Sequence, residues 1–482
     1  MTSLGENGPT LVIGGGIAGA YMAALLGQRG EQVTVFDSRP DPRSEAGAGG
    51  RSINLAIAER GLAALRQLDG VVDRVEKIVV PMHGRIIHDD NVSGLQPYGN
   101  LPSEVLWSVD RTALTNVLLD AAEATGNVDI RFSQRCRAID FDLNLVSFTD
   151  STQADTWYQL PFGTIFGADG VGSTVRSEML EQNGGAVRKE MLDHRYVEIE
   201  MPAGDHGEFQ MEPHGLHIWP HNDFMLIALP NPSGDFTSTL FLAAAAEGPS
   251  FAAMQSAAEI NAFFEENFAD FAPMVPDYVE QFIDAPLGRL GTIRTVGWSF
   301  EDRVVLVGDS AHGIVPFHGQ GMNLALESAA ALDRILQAHP HDLAGAFEAF
   351  EADRGDDANA IADMALENYV EMRDKVNDPD YLLKRELSLM LAERFPDHFR
   401  PRYNMVMFSA IPYADAFARG DQQAELLAEL VQGCATIDEV DMAAAETAVL
   451  ALGLLPPGST TARPGPQAAG EVSQARSTPT TG

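Results

Sequence analysis

Three short strings in this chain have the residue types and spacing to hold a phosphorylated ligand. The first, Gly14-Gly-Gly16-Ile-Ala18-Gly19, follows the apolar run 11–13. Glycines at these positions allow a tight strand-to-helix turn and close backbone approach to a pyrophosphate. They also let the next helix pack closely with its amide-rich N-terminus toward the anion. Asp37 ends the following apolar run, Val33-Thr-Val-Phe, where a ribose hydroxyl needs an acceptor. The second string, Gly167-Ala-Asp169-Gly170, follows Thr164-Ile-Phe, and the third, Gly308-Asp309-Ser310-Ala-His312, follows the apolar run 304–307. Asp309 suits a helix N-cap, and a helix N-terminus there also stabilises electron-rich oxygens of a ligand. His312 reads as a structural member of its turn. The glycine turn alone fits a nicotinamide dehydrogenase equally well.

In this order the three strings resemble the flavoprotein aromatic hydroxylases, which implies FAD. There the second string touches the flavin and nicotinamide regions and the third holds the ribityl chain. No second glycine turn follows a strand elsewhere, so a nicotinamide that reduces the flavin is expected to dock transiently. Longer strings narrow the resemblance: Arg51-Ser52-Ile-Asn54-Leu-Ala, Val109-Asp-Arg111, Pro97-Tyr98-Gly and His217-Ile-Trp-Pro220. So do Ile227-Ala-Leu229-Pro-Asn, Gly313-Ile-Val-Pro316-Phe317-His318-Gly-Gln320-Gly321-Met322-Asn323, Asn368-Tyr-Val-Glu-Met-Arg373 and the run 401–409. Across residues 10–430 the chain is similar to the kynurenine 3-monooxygenases.

That resemblance implies an FAD-dependent monooxygenase that hydroxylates L-kynurenine to 3-hydroxykynurenine with NADPH and O2 through a flavin hydroperoxide. It assigns FAD to Gly14, Gly16, Ala18, Gly19, Asp37, Arg51, Ser52, Asn54, Arg111, Asp169, Gly308, Asp309, Gly321, Met322 and Asn323. Arg85 and Tyr98 hold the substrate carboxylate, and Asn368 and Tyr403 complete the polar end. The ring lies among Leu216, Met225, Ile227, Leu229, Thr239 and Phe241, with Pro316, Phe317 and His318 near the flavin. The flavin carries the chemistry, so neither a catalytic side chain nor a metal is expected. Two alternatives stay open: hydroxylation of a kynurenine analogue or other amino-aromatic acid, and a flavin reductase or sensor without oxygen insertion.

The residues themselves agree with part of this. Met225, Ile227 and Leu229 share a strand face at period 2, as do Thr239 and Phe241; plain core packing has the same pattern. Arg85, followed by Ile86 and Ile87 in a strand-like run, reads as pointing into a cleft, where its planar fork suits a carboxylate. The chain departs from the family where Leu324-Ala-Leu326-Glu327-Ser328 follows Asn323 in place of the usual phenylalanine and Glu-Asp. Ser310 stands where alanine is commoner. The membrane-anchoring C-terminal helix of eukaryotic members is not expected here.

To position these residues the sequence offers an opening strand–turn–helix–strand unit over 10–37. Helical spacing covers 56–68 and 111–124, with short strands at 78–80, 84–88 and 106–109. Two β-like runs fill 128–149, and 164–167 returns to the cofactor. From about 190 to 245 successive strands at 217–220, 224–229 and 236–241 are separated by turn clusters. A strand at 304–307, a helix at 320–337 and a nearly all-helical stretch to 453 complete the pattern. The expected fold is α/β: a Rossmann-like FAD-binding domain in three parts (1–75, 111–183 and 291–340). An antiparallel-sheet substrate domain (76–110 and 184–290) is inserted, followed by a helical region (341–455) and a disordered tail (456–482).

With 482 residues the chain exceeds one hydrophobic core. Its 69 acidic and 32 basic residues give a net charge of −37, which repels nucleic acid and anionic membranes. Two cysteines, Cys136 and Cys434, form neither a disulfide framework nor a zinc site, as suits a reducing cytoplasm. No signal peptide or spanning segment is read, and 442–455, interrupted by Glu446, reads as a packed helix. Oligomeric state is not legible.

Overall fold

A computed structural model describes residues 4–5, 8–44, 53–88, 94–153, 156–374 and 379–459. Short apolar runs that are buried on both faces suit the central strands of a parallel sheet. Thr10–Ile13, Thr164–Gly167 and Val304–Leu306 are such runs, every residue buried. They lie in a six-stranded sheet whose order is Ser299–Phe300, Val304–Leu306, Thr164–Gly167, Thr10–Ile13, Val33–Phe36, Val128–Arg131. All pairs are parallel except the edge pair Ser299–Phe300 with Val304–Leu306. The helices Ile17–Gln28, Arg111–Ala124 and Gly321–Ala338 pack on it and share its core.

The substrate sheet has seven strands in the order Gly288–Val296, Ala186–Met201, Phe236–Ala243, Phe224–Pro230, Gly215–His221, Gly84–Ile87, Leu95–Pro97. Every pair is antiparallel except Gly84–Ile87 with Gly215–His221, whose register sets Arg85 beside Leu216. One face of this sheet meets the helices Ala257–Asn267 and Tyr278–Asp284 in a separate aromatic-rich core. The other face packs on Val315 and Phe317, just beyond the third glycine-containing string, and on Ala56 and Ala58. The long helix Leu343–Asp374 and the helices Pro379–Arg394, Arg402–Met407, Tyr413–Leu430 and Met442–Ala451 follow. None of the described helices is long and apolar enough to cross a membrane.

Three expectations are corrected. The run 56–68 is not one helix: Asn54–Ile57 is a strand paired with Leu106–Asp110, and the helix is Glu59–Leu65. The break is fixed from outside the run, because the Asn323 side chain donates to the Ala56 carbonyl (2.9 Å) and accepts from the Ala58 N–H (2.9 Å). The region 128–149 holds three strands, not two. Val128–Arg131 joins the parallel sheet, while Gln134–Asp140 and Leu145–Asp150 form a separate antiparallel sheet with Thr156–Pro161. The strand Gly288–Val296 runs across the expected 290/291 boundary and pairs with Ala186–Met201 in the substrate sheet.

Candidate active site

The three strings meet at the carboxyl ends of adjacent strands, where open α/β sheets bind their ligands. Backbone crowding shows how closely. A Cβ on Gly14 (φ +107°) would lie 2.2 Å from the Ala168 carbonyl oxygen, and one on Gly19 1.9 Å from the Gly14 oxygen. A Cβ on Gly308 (φ +62°) would lie 2.7 Å from the Ala18 Cβ. Gly16 caps the helix Ile17–Gln28 with no side-chain bond, and no acidic residue sits in its first turn. Its leading amides therefore keep their attraction for an anion. At Gly14, Gly19 and Gly308 a side chain has no room, and the cradle these turns leave fits the pyrophosphate of a dinucleotide.

Each carboxylate here has a distinct place. Asp37 accepts from the Gly15 N–H (2.8 Å) and from Arg39, whose Nη2 lies 2.9 Å away. Burial pushes the Asp37 carboxyl up, but Arg39 and these bonds hold it below the ordinary value. Arg39, missed in the sequence, thus fixes the acid at the end of its strand. Asp169 is engaged within the fold: it accepts from Ser173, from the Thr174 N–H (2.7 Å), and from Ser310 Oγ (3.1 Å). It therefore knits the second string to the third. Ser310, the departure from alanine, completes the knot by accepting from the Gly170 N–H at 2.8 Å. Asp309 is the first residue of the helix Asp309–His312, and Gly308, not Asp309, is its cap. Burial raises the Asp309 carboxyl, with Arg111 pulling the other way.

Asn323 has its side chain bonded to the backbone of Ala56 and Ala58 and to the Gly319 carbonyl, which holds the strand Asn54–Ile57 beside the helix that Gly321 opens. Asn54 Nδ2 donates to Asn231 (2.7 Å), tying the small sheet to the substrate sheet. Gly321 and Met322 open the helix that ends the string. Arg51 and Ser52 lie outside the described residues.

The substrate side is built differently. Leu216 and Ile227 pack against two apolar clusters at once, one holding Met225, Phe241 and Phe317, the other Tyr98, Leu229, Met407 and Phe408. Ile227 stands opposite Thr239 and Met225 opposite Phe241, so the expected wall is continuous. Into this apolar surface project polar atoms that the protein leaves unmatched. Arg85 stacks its guanidinium on the Tyr403 ring at 4.7 Å, and its buried Nε has no hydrogen-bond partner. The Tyr98 hydroxyl is likewise buried and unpartnered, its ring 5.9 Å from that of Tyr403. Such atoms cost about 1–3 kcal/mol each unless a ligand matches them.

The flanks of the cleft are held firmly. Asn368 donates to the Phe317 carbonyl (2.6 Å), and Phe317 lies 4.2 Å from Tyr369 and 5.1 Å from Phe241. His318, beside Tyr403 at 5.5 Å, is driven down to about 3 by burial and by the charges of Arg85, Arg402 and Arg60, so it is neutral. Pro316, Phe317 and His318 form one 3-10 turn. Sequence reading missed Tyr369, Met407 and Gln320. The Gln320 side chain is gripped between Tyr413 (2.7 Å) and Met407 (2.8 Å). Their signal lay in the strings around Asn368, Tyr403 and Asn323, where only one or two members were given roles. Glu327 sits between Arg60 (3.1 Å) and Arg354 (2.8 Å), Leu326 is fully buried, and the Ser328 Oγ is buried without a partner.

Residues 7–364 match a family described as FAD binding domain. The kynurenine 3-monooxygenase of Xanthomonas axonopodis pv. citri (strain 306) is 46% identical over 450 residues, 93% of this chain and 98% of the relative. That of Stenotrophomonas maltophilia (strain K279a) is 44% identical over 439 residues, 91% and 95% of the two chains. Among solved structures, a tetrameric form of 2-methyl-3-hydroxypyridine-5-carboxylic acid oxygenase superposes with a TM-score of 0.62 at 21% identity. It covers 78% of this chain and 95% of its own. PqsL from P. aeruginosa in complex with 2-aminobenzoylacetate gives 0.61 at 18% identity, covering 76% and 96%. These two share the fold.

Proposed function

Because the chain belongs to the kynurenine 3-monooxygenase family of FAD-dependent hydroxylases, we propose that it hydroxylates L-kynurenine at ring position 3, consuming NADPH and O2. The observation that carries the substrate is the pair of unmatched buried groups, Arg85 Nε and Tyr98 OH, at the edge of an apolar wall. An amino acid with an aromatic ring supplies what each part lacks: a carboxylate for the arginine fork and a flat ring for the wall.

FAD would be held by the glycine cradle and Asp309, and when bound it supplies the reduction and activation of O2. The chain's own residues do the rest. Arg85 and Tyr98 receive the carboxylate, and Asn368 and Tyr403 complete the polar end. Leu216, Met225, Ile227, Leu229, Thr239 and Phe241 orient the ring and exclude water. His318, neutral and buried, adds no charge at the reacting face. The aniline nitrogen of the substrate already activates the ortho carbon, so no protein base is assigned. With one glycine cradle among the described residues, NADPH docks transiently, and two free cysteines suit a reducing compartment.

The test is anaerobic reduction of the holoenzyme by NADPH with and without kynurenine, followed by admission of O2 and product mass. Kynurenine should speed reduction, and the product should be heavier by one oxygen atom. Peroxide release without hydroxylated product would transfer the assignment to a kynurenine analogue, which a panel of ring-substituted kynurenines would identify.

A further inference from the structure

The string His217-Ile-Trp-Pro220 does not line the cleft with all its members. Along the strand Gly215–His221, Leu216 and Ile218 face the cleft clusters, while His217 and Trp219 point to the opposite face, toward the aromatic-rich core. On that face runs a continuous row of polar contacts. Trp219 Nε1 donates to Asp270 Oδ1 at 2.9 Å, and the other carboxylate oxygen lies 2.7 Å from His88 Nδ1. His88 Nε2 is 2.8 Å from His217 Nδ1, and His217 Nε2 is 2.8 Å from the Glu212 carbonyl oxygen. The His88 ring also stacks on Trp219 at 3.8 Å.

Counting protons along this row gives an unusual answer. A carbonyl and an ionised carboxylate only accept, so His217 Nε2 and His88 Nδ1 must each carry hydrogen. The ring-to-ring contact needs a third hydrogen. Two neutral imidazoles bring two, so the complete row holds one extra proton. Burial, and then the neighbouring His88, push His217 down to about 4, which makes it the neutral acceptor at the ring-to-ring contact, and the row ends on the Asp270 carboxylate. The Asp270 carboxyl, raised by burial, is held below its ordinary value by the bonds from His88 and Trp219. Among the described residues, further titratable groups beside this row are Glu212, which is 2.9 Å from His214, and His83, whose ring is 6.0 Å from His214. His221 bonds the Asn267 carbonyl beyond them. Asp89 and Asp90 come next in the chain after His88 and lie outside the described residues.

His88 directly follows the four-residue strand Gly84–Ile87, and its N–H continues the ladder to the Ile218 carbonyl at 2.8 Å. Three residues earlier is Arg85. We propose that Asp270, His88 and His217 form a proton-dependent clamp that positions the strand bearing Arg85, so that the grip on the substrate carboxylate weakens when the clamp loses its extra proton. This rests on the reading of Arg85 as the carboxylate site. His88 and Asp270 are positioning residues, since neither faces the cleft. With the proton gone, one of the three contacts sets two lone pairs against each other and is lost, which loosens a short strand at its end.

The experiment uses the FAD-loaded enzyme and measures kcat and KM for kynurenine from about pH 6 to about 8.5, the range in which imidazoles titrate. It compares wild type with Asp270→Asn, His88→Gln and Arg85→Ala. Nitrogen NMR of histidine-labelled wild type and Asp270→Asn reports the protonation of His88 independently of turnover. In wild type KM should rise about threefold to tenfold with pH while kcat changes little, the loss of one hydrogen bond. Asp270→Asn and His88→Gln should show the high-pH KM throughout, with unchanged flavin content. Titration of substrate and flavin is common to all variants and cancels in the comparison. A wild-type pH profile retained in Asp270→Asn and His88→Gln, with Arg85→Ala still raising KM, would overturn the clamp and leave the carboxylate site standing. If Arg85→Ala leaves KM unchanged, the site reading fails and takes the proposal with it. A His88 found neutral throughout this pH range also overturns the clamp.

Discussion

The cofactor cradle and the substrate cleft treat their polar groups in opposite ways. Around the cradle, Asp37, Asp169, Ser310 and Asn323 are all bonded within the protein, and what remains for a ligand is mostly backbone and space. In the cleft, Arg85 Nε and Tyr98 OH are buried and unmatched. The cradle is therefore a shape that exists before its ligand arrives. The cleft is a deficit that a ligand fills. A cofactor retained through many turnovers suits the first, and a substrate that must be distinguished and released suits the second.

The comparison breaks most completely if the cradle's shape is not what holds FAD. Gly19→Val puts a branched side chain where even a Cβ would be 1.9 Å from the Gly14 carbonyl oxygen. The neighbour is backbone and cannot yield cheaply, so the turn must deform. The expected protein is colourless, with no releasable FAD and a melting temperature lower by more than 5 °C or so. A yellow, fully active Gly19→Val enzyme would show that the cofactor sits elsewhere.

Acid should come next in size, and it acts on both regions. His312, behind the cradle, is pushed down to about 4 by burial and by the Arg354 charge, and His318 in the cleft to about 3. In the unfolded chain each histidine takes up a proton near pH 6.5, while the folded protein refuses it until much lower pH. Protons then favour unfolding. Stability is intact above about pH 6.5 and falls as pH drops toward 4, by at most about 1.4 kcal/mol per pH unit for each histidine. Denaturant midpoints measured across this range should decline, and His312→Gln should flatten the decline. A flat midpoint down to pH 4.5 in wild type would mean that these rings are matched by partners, contrary to the unpartnered His312 nitrogens.

The cleft's deficit is probed by Arg85. Arg85→Ala removes a charge-assisted fork worth on the order of 1.5–3 kcal/mol, a loss of roughly tenfold to hundredfold in kcat/KM carried mainly by KM. Arg85→Lys should restore little, because an ammonium does not reproduce the planar fork. Flavin content should stay at wild-type level, since the guanidinium rests on Tyr403 and not on the cradle. Loss of FAD in Arg85→Ala would merge the two regions that the structure separates.

How much of this could be read in advance differs between the regions for a physical reason. The cradle was legible because backbone geometry demands glycine at Gly14, Gly19 and Gly308, and a demand on residue type leaves a mark in sequence. The strand faces of Met225, Ile227 and Thr239 were legible as a period of two. The break at Ala58 was not, because it is imposed by Asn323, more than 260 residues away, and local spacing carries no trace of that bond. Asp309 was misread as a cap because a glycine at positive φ already served. Tyr369 and Gln320 were hidden for a related reason: their partners, Phe317 for the first and Tyr413 and Met407 for the second, lie far away in the sequence.

The smallest effect sharpens the comparison most finely. Ser310 accepts from the Gly170 N–H and donates to Asp169, which also accepts from the first two N–H groups of the helix Thr174–Asn183. Ser310→Ala keeps Asp169 on its other three donors, Ser173 and the Thr174 and Val175 N–H groups, and orphans one backbone N–H. If the cradle is a preformed and redundantly bonded shape, the cost is about 1 kcal/mol. Melting should fall by a few degrees at most. FAD affinity should weaken by no more than roughly fivefold, and kcat and the kynurenine KM should not move, because nothing in the cleft touches this knot. A large rise in KM would contradict the separation, since it would mean that the link between the second and third strings is transmitted to Arg85. A large loss of FAD with KM intact would instead show that the cradle hangs on this one hydroxyl, and that its shape is held by far less redundancy than its hydrogen bonds indicate.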